Sequence, residues 1–177
     1  VEEVVDEVSG KVYLPPCQIA CPVGEEIQRT NAMISLLPPN AQEAGPVITK
    51  IGDAIYEKNP LFTICGYICG LCEKECNYKD QTGAVRRRML KRFITGHYMP
   101  YLETKSSLAS PTKERIAVLG GGPAGVMCSY ELAKMGHSTT IMERDSQLGG
   151  ALRYIPHYRR PMDVMDITLD SLVRIAN

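Results

Sequence analysis

At 177 residues, with 44% hydrophobic and 23% charged positions, the chain has ordinary globular composition and room for one large domain or two small ones. Twenty Lys and Arg balance twenty Asp and Glu, so the net field gives no basis for binding nucleic acid or an anionic membrane surface. No apolar run reaches the roughly 20 residues that span a bilayer, and no export signal is evident, so the seven cysteines are expected to be reduced thiols in a cytoplasmic protein. Because the chain starts at Val1, it is expected to be cut from something longer.

Residues 1 to 16 are acidic and then proline-bounded, and read as an irregular or partly helical lead-in to Cys17-x3-Cys21-Pro22. Apolar residues at helical spacing predict a helix from Glu25 to Leu37, stopped by Pro38-Pro39. A second is predicted from about Ala41 to Lys58, with Val47, Ile48, Ile51, Ala54 and Ile55 on one face. Asn59-Pro60 then breaks the helix and opens a cysteine loop, Cys65-Gly-Tyr-Ile-Cys69-Gly-Leu-Cys72-Glu-Lys-Glu-Cys76, where Gly66 and Gly70 would let backbone approach a bulky cluster. Four thiolates this close repel unless a cation or cluster neutralises them. With no histidine among them, and a redox signature later in the chain, an iron–sulfur cluster is favoured over zinc.

A third helix, from about Ala84 to His97, is expected to carry Val85, Met89, Leu90 and Phe93 inward. Its cations Arg86, Arg87, Arg88, Lys91 and Arg92 would then form a solvated outer face rather than a nucleic-acid patch. Met99 to Lys113 reads as a linker, which divides a helical domain at 1–110 from a second at 111–177.

The second domain changes period. Arg115 to Leu119 is a continuously apolar strand of the kind buried on both faces of a parallel sheet. Gly120-Gly-Gly122-Pro123-Ala124-Gly125 turns from it into a helix that runs to about Met135 and is closed by Gly136; Ser138 to Glu143 is the next strand, and Pro161 to Ala176 the last helix. A lone Gly-x-Gly-x-x-Gly string is weak, but between a strand and a helix, with Glu143 ending the next strand, it is a dinucleotide fingerprint. Gly120 would make the tight turn, Gly122 would admit a pyrophosphate to the helix N-terminus, Gly125 would let helix and strand pack closely, and Glu143 would bond ribose hydroxyls. Cys128, on the helix after the turn, reads as a small core residue. The Gly149-Gly150 turn after Glu143 resembles the flavoprotein version of this fold, which points to FAD rather than NAD. The candidate dinucleotide residues are Gly120, Gly122, Pro123, Ala124, Gly125, Glu143, Arg144, Gly149, Gly150 and Arg153.

Taken together, Cys17-x3-Cys21-Pro22, Asn59-Pro60-Leu61, Cys65-Gly-Tyr-Ile-Cys69 with Cys72, Glu73 and Cys76, and Leu148-Gly-Gly-Ala-Leu-Arg-Tyr-Ile-Pro156 resemble a known family. It is that of the small subunit of bacterial glutamate synthase and the matching amino-terminal region of dihydropyrimidine dehydrogenase. The resemblance implies an α-helical iron–sulfur domain followed by the start of an α/β Rossmann-like FAD-binding domain. Family members hold two four-iron clusters behind Cys-x2-Cys-x4-Cys-x3-Cys-Pro. Here Ser9 and Val12 stand at the first two cysteines of that run, and a non-cysteine ligand used by some members maps near Lys91. The resemblance therefore implies one 4Fe-4S cluster, held by Cys21, Cys69, Cys72 and Cys76, with Cys17 and Cys65 as spare thiols.

By the same resemblance NAD(P)H would reduce FAD, and electrons would pass through the cluster to a partner subunit, to the rest of the same enzyme, or to a ferredoxin-like protein. No second glycine fingerprint for NAD(P)H follows, so this piece alone is expected to be inactive. Three other readings stay open: a structural zinc site, a radical S-adenosylmethionine centre at Cys65-x3-Cys69-x2-Cys72, and a non-catalytic docking subunit.

Overall fold

The computed structural model describes residues 4–5, 12–104, 112–159 and 161–176. The chain divides into two compact units, Val1–Tyr98 and Met99–Asn177. No described helix is long and apolar enough to cross a membrane.

The first unit is helical apart from a short ladder at its start. There β1 (Val4–Val5) pairs antiparallel with β2 (Val12–Tyr13), where an irregular or partly helical lead-in was expected; the valines favour extended backbone. α1 (Pro16–Ile19) begins on a proline, whose fixed φ suits a first turn, and ends ahead of Cys21-Pro22. α2 (Ile27–Ser35) and α3 (Ala41–Lys58) follow. The Asn40 side chain accepts the Glu43 N–H at 2.8 Å and donates to the Glu43 carboxylate at 2.6 Å, so both ends of the capping turn are tied. Ile48, Ile51, Ile55 and Tyr56 of α3 form the core with Phe62 of α4 (Phe62–Ile68) and with Ile94 and Tyr98 of α6 (Arg87–Thr104). The Tyr98 ring lies 5.5 Å from Phe62 and 5.9 Å from Tyr56, centroid to centroid.

Three expectations fail here for physical reasons. The cysteine stretch is not an open loop: Cys65 lies inside α4, Cys69 caps it, and Cys72 lies in α5 (Leu71–Lys74). No proline falls between Leu61 and Cys76, and only Cys69-Gly70 interrupts the helical run. Gly66 accordingly serves helix packing: a Cβ there would sit 3.0 Å from Lys91 Cβ and 3.3 Å from the Arg92 nitrogen. α6 is also rotated from the expected orientation. Arg87, Lys91, Ile94, Thr95 and Tyr98 point inward, with Arg87 2% and Lys91 3% exposed, whereas Met89 and Phe93 are 56% and 44% exposed. α6 further continues through Pro100 to Thr104 where a linker was expected from Met99; a proline this near the end removes one helical bond on an exposed turn. The Ser/Thr-rich part of that linker lies outside the described residues.

The second unit is a strand–helix–strand crossover. β3 (Arg115–Leu119) pairs parallel with β4 (Ser138–Met142), Arg115 opposite Ser138 and Leu119 opposite Met142, and α7 (Pro123–Lys134) connects them. Val126, Ser129 and Tyr130 bury one face of α7, and the Ser129 hydroxyl meets that of Thr139 at 2.5 Å. Gly136, at φ +87°, closes the helix in the left-handed region. After two 3₁₀ turns, Gly150–Tyr154 and His157–Arg159, α8 (Met162–Ala176) packs on α7 and buries Met165, Leu169 and Leu172. β3 is not buried on both faces: Val118 is covered, but Leu119 is 81% exposed. Cys128 is likewise exposed rather than core, because it falls on the face of α7 opposite the buried stripe.

At Gly52 a Cβ would come within 2.2 Å of the buried Tyr98 ring. Gly52→Ala is expected to lower unfolding stability by about 1–3 kcal/mol through overpacking. Urea denaturation of the purified chain measures it.

Candidate metal centre and dinucleotide turn

Six cysteines lie in the first unit, of which Cys17, Cys21, Cys65, Cys69 and Cys72 are half-buried and Cys76 is buried. Cys17, at the first turn of α1, meets Cys72 and Cys76 around one cavity of about 340 Å³, which Arg87 also lines. Cys76 Sγ accepts the Val85 N–H at 3.5 Å. Cys65 and Cys72 both feel the charge of Cys69 and of Lys91. Neither Cys21 nor Cys69 lines the cavity, and among the described residues no three ligating side chains are close enough to hold a single metal ion. Burial pushes the Cys65 thiol up to about 11 against the opposing pull of Lys91. Burial likewise raises Cys72, and burial together with the nearby Cys76 raises Cys17.

Beside the thiols lies a charged network that the sequence reading missed. Glu25, 1% exposed, accepts at one oxygen from Lys91 Nζ at 2.5 Å and from Asn59 Nδ2 at 2.5 Å. Its other oxygen faces Arg87 Nη2 at 3.5 Å without a hydrogen bond. Arg87 donates to Asn31 and Thr30 at 2.8 Å each, while its Nε is buried without a partner. Lys91 Nζ also reaches Cys65 Sγ at 3.2 Å. Burial opposes the ammonium charge, but Glu25 and Cys65 outweigh it and hold the Lys91 pKa above the ordinary lysine value. Among the described residues the buried charged side chains are one carboxylate and two cations, an excess of one positive charge beside the thiols. An anionic thiolate-bound cluster fits such a donor set. A spacing signal existed in the sequence: Arg87, Lys91, Ile94, Thr95 and Tyr98 form an i, i+4, i+7, i+8, i+11 stripe, which a reading that counts only apolar residues passes over.

In the second unit the glycine turn is fully formed. Gly120 has φ +100°, a conformation only glycine adopts without strain. A Cβ on Gly125 would lie 1.8 Å from the Gly120 carbonyl oxygen, so the first turn of α7 packs on the strand end with no space left. Gly122 caps α7 and has open space where its side chain would project, beside Pro123 and the exposed Ala124. Glu143 accepts the Gly121 N–H at 2.6 Å and the Asp145 N–H at 2.9 Å, and these backbone donors hold its carboxyl below the usual range. Gly149, at φ +118°, donates its N–H to Gly121 O at 2.8 Å, which brings the two glycine turns together. Arg153 donates to Leu148 O and to Asp166 at 2.9 Å, and borders a small cavity of about 170 Å³ with Gly150 and Tyr154. Arg144 is exposed, 3.6 Å from Asp145.

A thiol-rich helical unit followed by a strand–glycine turn–helix is the architecture of an iron–sulfur domain joined to a Rossmann-like dinucleotide-binding segment. Residues 10–101 match the family model described as dihydropyrimidine dehydrogenase domain II, 4Fe-4S cluster, and the chain belongs to that family. Residues 118–173 match the NAD(P)-binding Rossmann-like domain. The chain is 31% identical over 165 residues to YgfK of Escherichia coli K12, covering 89% of itself and 15% of that protein. It is 31% identical over 128 residues to the NAD-dependent dihydropyrimidine dehydrogenase subunit PreT of Salmonella typhimurium, and 29% over 131 residues to PreT of Escherichia coli K12. Each PreT match covers 70% of this chain and 31% of the relative, so the chain spans a third or less of the curated relatives it matches.

Gly125→Ala is expected to cost about 3 kcal/mol or more, because the atom it would strike is backbone and cannot swing aside; thermal unfolding checks this. The depressed Glu143 pKa means that its hold on Gly121 is complete above the ordinary value of 4.5 and is lost as pH falls through the lower folded value. The Gly121 amide resonance should therefore titrate with that midpoint in the wild type and lose the titration in Glu143→Gln.

Proposed function

We propose that this chain is the electron-transfer module of an NAD(P)H-dependent oxidoreductase of the glutamate synthase small-subunit type, pairing FAD with one 4Fe-4S cluster. The observation that carries the reading is the union, in one chain, of an iron–sulfur family domain with two glycine turns bonded to each other through Gly149 and Gly121. The paired turn supports FAD as the dinucleotide held here, with NAD(P)H the reductant of the complete enzyme. When bound, flavin accepts a hydride as an electron pair and a cluster carries electrons singly.

The chain's own residues have distinct tasks. Cys21, Cys69, Cys72 and Cys76 are the residues that would hold the cluster, with Cys65 and Cys17, which borders the cavity with Cys72 and Cys76, as spare thiols. Gly122, Pro123, Ala124 and Gly125 present the N-terminus of α7 to a pyrophosphate, and Gly120 makes the turn that aims it. Glu143 has lone pairs left for a ribose after its two backbone bonds. Gly149, Gly150, Arg144 and Arg153 are the residues of the second glycine turn and its flanks that would contact the flavin. Domain boundaries at 1–110 and 111–177 follow from the same division of labour. A partner subunit, or the remaining part of the same enzyme, receives the electrons in the cytoplasm; relatives named as subunits support such a partner. With Arg87 and Lys91 buried and Arg88 paired with Glu73 at 2.8 Å, the exposed cations of this stretch available to steer an acidic ferredoxin-like partner reduce to Arg86 and Arg92, beside the exposed Met89 and Phe93.

Anaerobically purified protein should show broad absorption near about 400 nm that bleaches with dithionite; a colourless protein carrying zinc would overturn the reading. In the same assay Cys21→Ser is expected to lose the absorption and Cys65→Ser to keep most of it. Charge reversal at Arg86 and Arg92 should weaken the salt dependence of electron transfer to the partner.

A further inference from the structure

Burying Arg87 and Lys91 on α6 while Met89 and Phe93 stay in water is the reverse of what hydrophobic transfer favours. Glu25 is the one carboxylate the structure buries with them among the described residues, and it leaves one positive charge without a counterion. The ammonium is fixed between that carboxylate at 2.5 Å and the Cys65 sulfur at 3.2 Å. It is held from three sides: by Glu25 ahead of α2, by Asn59 through the shared carboxylate oxygen, and by α4, which Gly66 allows to approach its Cβ closely. A buried cation excess beside a thiol set has one economical purpose, which is to balance negative charge on what the thiols hold.

We propose that Lys91 is a positioning residue for the redox level of the iron–sulfur cluster: oriented by Glu25 and Asn59, its buried ammonium stabilises the extra negative charge that the cluster acquires on accepting one electron. This rests on the cluster reading above. Lys91 takes no part in ligation and moves no proton. Its contribution is a fixed field, and that field raises the reduction potential because the reduced form is the more negative one. Arginine at position 91 would retain the charge, and methionine would remove it while keeping the volume of the apolar stem. In the protein without a cluster the sign reverses: the excess cation is unbalanced, and Lys91→Met leaves Glu25 with Arg87 as a neutral buried pair.

The test uses the whole chain, anaerobically loaded with iron and sulfide, in wild-type, Lys91→Met and Lys91→Arg forms. Iron content is assayed, the cluster potential is read by dye-mediated dithionite titration, and the metal-free forms are unfolded in urea. The expected result is a clearly more negative potential for Lys91→Met at unchanged iron content, a wild-type potential for Lys91→Arg, and a metal-free Lys91→Met at least as resistant to urea as metal-free wild type. A loaded Lys91→Met with the wild-type potential overturns the proposal. So does a metal-free Lys91→Met that is markedly less stable than wild type, since Lys91 is then an ordinary structural partner of Glu25. A Lys91→Met that fails to load while the wild type and Lys91→Arg load also overturns it, because the residue is then needed to hold the cluster and not only to set its potential. A wild type that binds no iron removes the cluster reading and this inference with it, an outcome distinct from a loaded wild type whose potential ignores residue 91.

Discussion

The constraint on which the helical unit depends is the burial of the Glu25 carboxylate, which Lys91, Arg87 and Asn59 approach in a place that water does not reach. Four segments distant in the chain converge there: the stretch after Cys21-Pro22 through Glu25, the end of α3 through Asn59, α4 through Cys65, and α6 through Lys91 and Arg87. Apolar packing of Ile48, Ile51, Phe62, Ile94 and Tyr98 supplies the non-directional part of the stability. The charged cluster supplies direction, because a buried carboxylate tolerates few arrangements of its donors. It therefore selects which face of α6 turns inward and, with that, where the thiols of α4 and α5 stand.

How far the sequence could be read follows from where each signal resides. The boundaries of α3 were legible because their causes are local: Asn40 caps one end, and Asn59 before Pro60 closes the other. The β3–α7–β4 unit was legible for the same reason, since alternating period and glycine punctuation lie within some thirty residues. The face of α6 was not. Its inward cations are stabilised by Glu25, more than sixty residues earlier, and no local periodicity of apolar residues reports on that. Cys65 and Cys72 were read as loop residues because their chemistry suggested a loop, although the intervening residues are compatible with helix. The family resemblance, resting on cysteine and glycine spacing, survived these errors because spacing does not depend on which face a helix presents.

The glycine turn separates two functions of one residue type. Gly125 is required by what is already there, since the Gly120 carbonyl occupies the space a side chain would need. A side chain on Gly122 would project into open space, and its lack of one leaves open approach to the end of α7. One glycine thus maintains the fold and the other keeps a surface vacant, a distinction that the bare fingerprint does not contain. Glu143 fixes the turn itself by accepting the amide of Gly121, which lies between Gly120 and Gly122.

Gly66 gives the first unit a property that belongs to its heritable variation. Because α4 and α6 meet there at backbone range, the separation between the cation of α6 and the sulfur of α4 is set by main-chain contact rather than by adjustable side-chain packing. Any larger residue at 66 would force the helices apart and change every neighbouring distance at once. Gradual adjustment of the site is then channelled into the identity of the side chain at 91, with the scaffold acting as a fixed ruler against which single substitutions are graded.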